Sequence, residues 1–461
     1  MSATASPRVP LRTMLAFSAG EPPLNALGTA MAISVQPYFA QDLGVGLIPI
    51  AAAFTIVRAL DFGVDPVLAV MMDATRTPIG RYRAWMLAGT PILLVSVWML
   101  FMAHRGIGMT YLVVWLLIYA LGSSIVGLAR GAWSANLVTR YDQRSRFYGY
   151  LGFIGVTGAL IVLETPTVSA LIPGHMHLPN NVQLMGWVIL IMTPIGFAIN
   201  ALLVPEPINV DAAKDRFSFR DYWAICKKPD VLRLFVSAFA LTLGPGWMGN
   251  LYVFFFVAAR GFTEPQAYSL LFIYILAGVV AAPVIGWLGG RFGKHRVMMA
   301  STVLYSLGLC TVTLAPKADL LLAVPVMVWC GLMANGFGLM TSAIMADVGD
   351  EVRLEQGKER MALLFAVTGL AGKLAAAGAL AISYPLLVMV GYDPKLAGHN
   401  TPAALDGLTL IFIVGPIFWV ILGGLCFIGW RLDARRHAQI RSELEARDAM
   451  LAQAVKEGGL V

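Results

Sequence analysis

Long apolar segments recur along the whole chain, and each is close to the length that crosses a lipid bilayer as a helix. A membrane-spanning helix needs about 20 mostly apolar residues. Segments of this kind lie near residues 12–40, 44–72, 84–104, 109–139, 147–172, 183–204, 231–259, 264–290, 295–315, 318–347, 360–390 and 405–431. They are too long for the roughly ten-residue alternating strands of a membrane barrel. The sequence therefore predicts an all-α membrane protein with twelve transmembrane helices.

The composition supports this fold class and narrows the function. Hydrophobic residues make up 58% of the chain and charged residues 13%, which is unlike an ordinary soluble domain. The four cysteines have no paired spacing, and the sequence contains no phosphate-binding loop, nucleophile elbow or set of metal ligands. We therefore predict a protein that is not an enzyme and that needs no cofactor.

Lysine and arginine are concentrated in the loops on one side of the predicted membrane. That side includes Arg76, Arg81, Arg83, Arg291 and Lys294, whereas the opposite side has only Arg105, Arg260, Lys317 and Lys395. Because cytoplasmic loops retain basic residues, we expect both termini to be cytoplasmic, in a bacterial inner (plasma) membrane. Loops that face anionic lipid explain the net charge of +7. The expected partners are the bilayer and a small solute, not nucleic acid, and we expect a monomer.

One polar stretch divides the predicted helices into six plus six. Residues 205–230 form the longest polar segment between spans. The loops after the second and eighth spans both run from a Pro through apolar residues to a Gly and then to alternating basic residues. Such a repeat is typical of transporters that bind solute between two bundles. The predicted boundaries are 1–204 for the N-terminal bundle, 205–230 for a cytoplasmic central loop, 231–431 for the C-terminal bundle and 432–461 for a cytoplasmic tail.

The second predicted span carries three charges on one helical face. Arg58, Asp61 and Asp65 are separated by three and four residues, so their side chains project in the same direction. A charge at the bilayer centre costs roughly 2.5 to 3.5 kcal/mol on insertion scales, so intramembrane charges indicate functional sites. Lys373 in the eleventh span is a candidate countercharge among small neighbours. Two acids one turn apart suit a proton or a desolvated monovalent cation. A static salt-bridge network between the bundles, or a helix-end cluster that reaches the interface, is the alternative.

Two motifs resemble those of a known family. In the first, an Arg, an Asp and an Asp-Pro precede an apolar run, a D-A-T-R segment, a Gly, alternating basic residues and a Trp. Its members are Arg58, Asp61, Asp65, Pro66, Asp73 to Arg76, Gly80, Arg81, Arg83 and Trp85. The second motif has an Ala-Asp, a further acid and a membrane-embedded Lys, at Asp347, Asp350 and Lys373. The chain resembles the glycoside-pentoside-hexuronide:cation symporters of the major facilitator superfamily, which include the bacterial melibiose permease.

This resemblance implies a fold of two six-helix bundles and specific roles for the charged residues. It implies that Asp61 and Asp65 bind sodium or a proton as the coupling ion, with Arg58 and Lys373 as the accompanying charge pair. It also implies a gating role for residues in the loop after the second span and at the end of the tenth, namely Asp73, Arg76, Gly80, Arg81, Arg83, Asp347 and Asp350.

The sugar-binding positions of the sugar permeases are not matched in kind. Where those permeases have an acid in the first span, this chain has Asn25, with Glu21 one turn earlier beside two prolines. The fourth span keeps Trp133, but Ala129 and then Arg130 stand where the permeases have an acid. Because an Arg in a cavity suits a carboxylate or phosphate, we expect Arg130 to hold an acidic group of the cargo. An ion pair between Arg130 and Glu164, or a backbone role, is the alternative. The expected cargo residues are Glu21, Asn25, Arg130, Trp133 and Glu164.

These observations predict a secondary active symporter that couples entry of sodium or protons to uptake of a small solute by alternating access. We expect the solute to be a glycoside or a uronide. An amphiphilic anion such as a lysolipid is the alternative within transport, and a non-transporting membrane sensor is the alternative outside it. Glu and Arg recur at helical spacing in the tail, which predicts a cytoplasmic helix there.

Overall fold

A computed structural model describes residues 9–138, 141–171, 180–206, 228–313, 317–356 and 361–456, and every regular element within these ranges is helical. The first half contains α1 (Leu11–Ser18), α2 (Glu21–Ile33), α3 (Leu47–Ala74), α4 (Arg81–Phe101), α5 (Met109–Leu137), α6 (Tyr141–Ala170) and α7 (Asn181–Leu203). The second half contains α8 (Pro229–Val253), α9 (Glu264–Phe292), α10 (Lys294–Thr311), α11 (Leu320–Gln356), α12 (Met361–Met389) and α13 (Pro402–Leu425). The tail forms α14 (Ala434–Lys456).

The described helices agree with the predicted membrane spans. Ten of them, within the part of the chain that the structure describes, have the length and apolar character needed to cross a bilayer. The two predicted spans outside this set are the ninth, which is the 18-residue helix α10, and the first, which is interrupted between α1 and α2. Most of the predicted central loop, residues 207–227, lies outside the described residues.

Side chains from neighbouring helices satisfy the backbone at the break in the first span. A helix that is interrupted in a membrane frees carbonyl groups, which must find other hydrogen-bond donors. Asn200 Nδ2 donates to the carbonyl oxygens of Ala16 and Phe17 at 2.7 and 3.1 Å, and Arg130 donates to that of Phe17 at 3.3 Å. Gly20 lies at the break, where an added Cβ would collide with the Arg130 guanidinium. Pro22 and Pro23 lie in the first turn of α2, where proline is tolerated, so a helix can begin again directly after this break.

Each half packs as its own bundle, and a few helices join the two bundles. In the first half α5 packs against α3 and α4, and α2 packs against α6; in the second, α9 packs against α11 and α8 packs against α12 and α13. Small residues allow close approach. A Cβ at Gly158 would collide with the carbonyl of Pro22, and one at Gly331 with the carbonyl of Tyr274. Across the boundary α3 packs against α12, α6 against α9 and α2 against α8.

The polar contacts between the halves lie in the middle of the membrane and at one end of the molecule. We call this end the Asp42 end, and the opposite end, which carries Arg83 and Lys294, the basic end. Thr167 and Ser269 lie 2.9 Å apart near the Asp42 end, and Asn181 donates to Glu264 at 2.7 Å. At the basic end, the hydrogen bonds and ion pairs between described residues stay within one half. Polar contacts therefore link the halves at the Asp42 end in this conformation.

Candidate functional site

A central cavity of about 280 Å³ lies between the halves. Apolar residues form most of its wall, and polar groups are placed at a few points, as is usual for a small-molecule site. The polar and charged lining residues are Gln36, Arg58, Asp61, Tyr119, Ser123, Ser124 and Asn250. Met31, Phe54, Leu116 and Leu380 are among the apolar ones. Helices α2, α3 and α5 of the first half and α8 and α12 of the second therefore enclose one space.

The two acids of α3 meet the lysine of α12 beside this cavity. Lys373 Nζ lies 3.3 Å from Asp61 Oδ2 and also forms an ion pair with Asp65. Asp61 is buried, and its other oxygen accepts a hydrogen bond from Ser124 Oγ at 2.8 Å. The Oδ1 atom of Asp65 is buried without a partner among the protein groups. Helix α3 belongs to the first half and α12 to the second, so this ion pair crosses the boundary.

The net charge of this cluster would be balanced by one monovalent cation. Two carboxylates and one ammonium group carry a net charge of −1, so a single sodium ion or proton neutralises the three groups. Carboxylate oxygens are suitable ligands for a hard cation, and the unpartnered oxygen of Asp65 is an available one. The sequence indicated these three residues because charges are costly within apolar spans, and the structure brings all three together.

Arg58 is near this cluster but forms no ion pair with it among the described residues. Its side chain is exposed and lines the cavity one turn along α3 from Asp61. Among the described residues, the ion pairs of Asp61 and Asp65 are made by Lys373 and not by Arg58. The structure therefore separates the predicted charge pair into a lysine within the acidic cluster and an arginine in the cavity wall.

Arg130 is buried within the first half, outside the residues that line the cavity. Its guanidinium donates to Glu21 Oε1 at 2.7 Å and also to Asn200 Oδ1. The rings of Phe17 and Phe197 lie 4.7 and 5.6 Å from its Cζ atom. Arg130 therefore takes part in the ion pair that we considered as the alternative to cargo contact, but its acidic partner is Glu21 and not Glu164.

The other expected cargo residues also lie outside the cavity lining. Asn25 donates to the Glu21 carbonyl at 3.1 Å and has an exposed side chain. Glu164 accepts a hydrogen bond from Ser269 at 3.4 Å, across the boundary between the halves. Trp133 is fully buried, and its indole N–H donates to the Pro205 carbonyl at 3.3 Å. In this conformation, other polar residues line the cavity, among them Gln36, Tyr119 and Asn250.

The motif that follows the second span joins α4 to the end of α7. Gly80 precedes α4 with φ 112°, a conformation that suits glycine. The Glu206 carboxylate accepts hydrogen bonds from the backbone amides of Tyr82 and Arg83 at 2.8 and 3.0 Å, so it caps the helix N-terminus. The Arg83 guanidinium lies over the Trp133 ring, with 5.5 Å to its centroid. Sequence reasoning missed Glu206, because nothing in the chain shows which acid reaches this helix.

The remaining predicted gating residues of the first half are Arg76, Arg81 and Asp73. Arg76 is exposed, and Arg81 donates to the Tyr82 hydroxyl at 3.4 Å. The side chain of Asp73 lies outside the described residues.

In the second half, the predicted gating acids of α11 contact α10 and the tail helix α14. Asp347 accepts from Lys294 Nζ at 2.6 Å, and His437 Nε2 lies 3.3 Å from the same carboxylate. Asp350 lies 3.1 Å from His437 and 3.8 Å from Arg441. Apolar side chains of α14, including Ile440 and Leu444, are buried. The tail is helical, as the sequence predicted, and it is docked on α11.

A second, polar cavity of about 290 Å³ lies at the Asp42 end. Its wall includes Asp42 from the first half and Glu264 from the second. Burial and, to a smaller extent, the nearby Glu264 carboxylate raise the pKa of Asp42 to about 6, while Arg105 opposes the change. Asp42 follows the first span, and its carbonyl accepts from Arg105 at 3.1 Å. Two acids from opposite halves therefore share this closed end.

These features define a class of protein. It is a helical membrane protein whose two halves enclose a central cavity and are joined by an ion pair within the membrane, as in secondary transporters. Residues 16–434 match the profile of a family described as MFS/sugar transport protein. The chain belongs to this family, so it is a membrane transporter and not an enzyme. The predicted superfamily, fold class and transport function are confirmed.

Similar proteins have diverse cargo. An uncharacterized symporter of Bacillus subtilis (strain 168), YnaJ, is 21% identical over 448 residues, which cover 94% of each chain. The sodium-dependent lysophosphatidylcholine symporter 1 of Homo sapiens is 21% identical over 483 residues, which cover 94% of this chain and 88% of that protein. A crystal structure of a mutant of the nucleoside transporter NupG superposes with a TM-score of 0.68 at 12% identity, covering 91% of this chain and 98% of that one. This last similarity shows the fold alone.

Proposed function

We propose that this protein is a symporter in which Asp61 and Asp65 bind a monovalent cation while the central cavity binds a small solute. The observation that carries the proposal is the ion pair of Lys373 with both acids across the boundary between the halves. Asp61 also lines the cavity, so one carboxylate faces both sites. The names of the relatives, which include a symporter and a sodium-dependent symporter, support cation coupling.

The charge arrangement supplies a mechanism for coupling. In the absence of a bound cation, Lys373 neutralises part of the acidic pair and links α3 to α12. A sodium ion or proton at Asp61 and Asp65 weakens the hold of these acids on Lys373, so the halves can separate there and rearrange. Because Asp61 contributes to both sites, cation and solute each favour the same rearranged state, and each raises the affinity for the other by one reciprocal factor.

The leading cargo is a glycoside or a uronide. The family description names sugar transport, and hydrogen-bonding side chains of both halves, including Gln36, Ser123 and Asn250, reach the cavity. Hydroxyl groups of a sugar need such donors and acceptors, because burying them unpaired costs free energy.

An amphiphilic anion such as a lysolipid is the second candidate. The lysophosphatidylcholine symporter is among the relatives, and apolar residues such as Met31, Phe54 and Leu380 form much of the wall. An acyl chain would pack against such residues without needing hydrogen bonds.

The proposal includes the membrane arrangement predicted from the loop charges. The basic end faces the cytoplasm of a bacterial inner membrane, both termini lie on that side, and the protein works as a monomer. Residues 1–204 and 231–431 form the two bundles, residues 205–230 form the connecting loop, and residues 432–461 form the tail. With this orientation, the Asp42 end faces outward.

Ligand-dependent thermal stability tests the proposed function. A ligand that binds only the folded protein stabilises it by RT ln(1 + [L]/Kd), so a bound cargo raises Tm, and above Kd the rise grows with the logarithm of its concentration. The purified full-length protein is heated with a neutral glycoside, a uronide or a lysolipid, in sodium chloride or choline chloride, at pH 5.5 and 7.5. We expect one cargo class to raise Tm, and to do so more strongly with sodium or at low pH. A cargo effect that is the same in all four buffers would contradict cation coupling.

A further inference from the structure

We propose that Arg58 selects the cargo by binding an anionic group, either the carboxylate of an acidic sugar or the phosphate of a lipid headgroup. This inference rests on the proposed function, since it assigns a role within the same central cavity. It replaces Arg130, which is enclosed by Glu21 and Asn200, as the cation that meets the cargo.

The position of Arg58 makes it available to a solute. Its side chain is exposed, lines the central cavity and lies one turn from Asp61 on α3. A guanidinium that faced hydrocarbon would carry a large desolvation penalty, whereas one that faces a hydrated cavity keeps its charge in water. The exposed side chain is therefore placed where a water-borne or amphiphilic anion can reach it.

Within the part of the chain that the structure describes, the neighbouring acids pair with Lys373, and none forms an ion pair with Arg58. Asp61 Oδ2 faces Lys373, and its Oδ1 accepts from Ser124. Asp65 also pairs with Lys373 and is not among the cavity-lining residues. Arg130, which is buried at membrane depth, has Glu21 at 2.7 Å. Among the described residues that line the cavity, Arg58 is the single cation, so the wall has a localised positive charge.

The chemistry of the guanidinium defines the ligand. An arginine presents parallel N–H donors that match the two oxygens of a carboxylate or phosphate, and such charge-assisted bonds are stronger than neutral ones. The lining carboxylate, Asp61, is paired with Lys373 and accepts from Ser124, and the remaining polar lining groups, such as Gln36 and Asn250, are neutral and suit hydroxyl or carbonyl groups. The wall therefore favours a solute with one anionic group and a neutral remainder over a wholly neutral solute of the same shape.

Paired probes that differ only in the acidic group test this inference. The purified full-length protein and its Arg58→Gln, Arg58→Lys and Arg146→Gln variants are titrated by thermal shift. The probes are methyl β-glucuronide with methyl β-glucoside, and lysophosphatidate with monoacylglycerol. Arg146 is an exposed arginine of α6 that is not among the cavity-lining residues, so its substitution is the matched control.

We expect one acidic probe to bind the wild-type protein at least tenfold more tightly than its neutral partner. The Arg58→Gln variant should lose roughly 10- to 100-fold in affinity for the acidic probe, the range expected for a charge-assisted contact, and change little for the neutral one. The Arg58→Lys variant should be intermediate, because a lysine keeps the charge but not the paired donors. The acidic probe that responds, sugar or lipid, identifies the source of the anion.

Three results would overturn the inference: equal losses for acidic and neutral probes, equal binding of both by the wild-type protein, or no stabilisation by either acidic probe. The same titrations, repeated in sodium and choline chloride at pH 5.5 and 7.5, distinguish a failure of the symport proposal from a failure of the role assigned to Arg58. Selectivity that depends on Arg58 without any cation effect refutes symport and retains Arg58 as the selective residue. A cation effect without acid selectivity refutes the role of Arg58 alone.

Discussion

Lys373 of α12 forms an ion pair with Asp61 of α3, with 3.3 Å between Nζ and Oδ2, and thereby joins the two halves of the transporter at membrane depth. Asp65 belongs to the same cluster. Breaking such a pair exposes charge that the interior cannot solvate, so the halves separate here only when something else neutralises the acids. A bound cation provides that neutralisation.

Substitution of Lys373 should therefore change the response to the coupling ion. In Lys373→Gln, the two acids lose their ammonium partner, so we expect a lower Tm in choline chloride at pH 7.5 and a larger rise on adding sodium or lowering the pH. The measurement is Tm across a salt and pH series, with Lys317→Gln, an exposed lysine near the Asp42 end, as the control. A Lys373→Gln protein with the wild-type response would show that Lys373 does not compete with the cation.

Substitution of Arg130 should affect stability more than cargo selectivity. Removing one partner of a buried ion pair costs on the order of 3 to 5 kcal/mol, because the other charge is left unpaired. Arg130→Gln leaves Glu21 unpaired and removes a donor from the Phe17 carbonyl at the break in the first span. We expect a clear loss of Tm, with acidic and neutral cargo affected alike. Selective loss of acidic cargo at unchanged Tm would instead assign Arg130 to the cargo site.

Arg58 and Arg130 show what a single sequence can and cannot determine. Apolar segment length predicted the spans, and the cost of charge in lipid indicated Asp61, Asp65 and Lys373. The partner of Arg130 could not be predicted, because Glu21 and Glu164 are equally plausible in the sequence, and only the folded structure shows that Glu21 of α2 meets Arg130 of α5. Arg58 was linked to the acids by helical spacing alone, whereas in the structure both acids form ion pairs with Lys373.

The closed Asp42 end should respond to pH. Burial raises the pKa of Asp42 to about 6 from an ordinary value of 3.8, so its neutral form is favoured where the carboxyl is buried. The resulting stabilisation of this closed conformation is fully present below pH 3.8 and is lost as the pH rises through about 6. Acidification from pH 7.5 to 5 should therefore increase the population closed at this end, and Asp42→Asn should remove most of this pH dependence.

Spin labels on the two halves measure this population. Leu171, which directly follows α6, and Leu321 of α11 are exposed residues near the Asp42 end, one in each half. Spin labels on cysteines at these positions report the distance between the halves by double electron–electron resonance. Asp406→Asn, a change to an exposed carboxylate of α13, is the control and should keep the wild-type pH dependence. An unchanged pH response in Asp42→Asn would exclude Asp42 as its source.

The tail helix should contribute to stability but not to transport. Truncation after Arg436 removes His437 from Asp347 and Asp350, and it removes the buried side chains of Ile440 and Leu444. Each buried leucine or isoleucine is worth roughly 1.5 to 3 kcal/mol in apolar burial, so Tm should fall. Uptake per folded molecule should remain close to the wild-type value, since α14 packs on α11 and neither helix contributes a residue to the cavity lining. A more than tenfold loss of uptake at equal folded protein would show that the docked tail takes part in the transport cycle.

Conversion of the two acids to amides tests the central claim most directly. Asp61→Asn and Asp65→Asn keep the size of the side chain but remove one charge from the cation site. Uptake into vesicles with an imposed sodium or proton gradient is measured beside exchange at equal cargo concentration on both sides. Each variant should lose accumulation against the cargo gradient while retaining some exchange, because solute binding requires only the cavity. If both variants still accumulate cargo at near wild-type levels, Asp61 and Asp65 are not the coupling site.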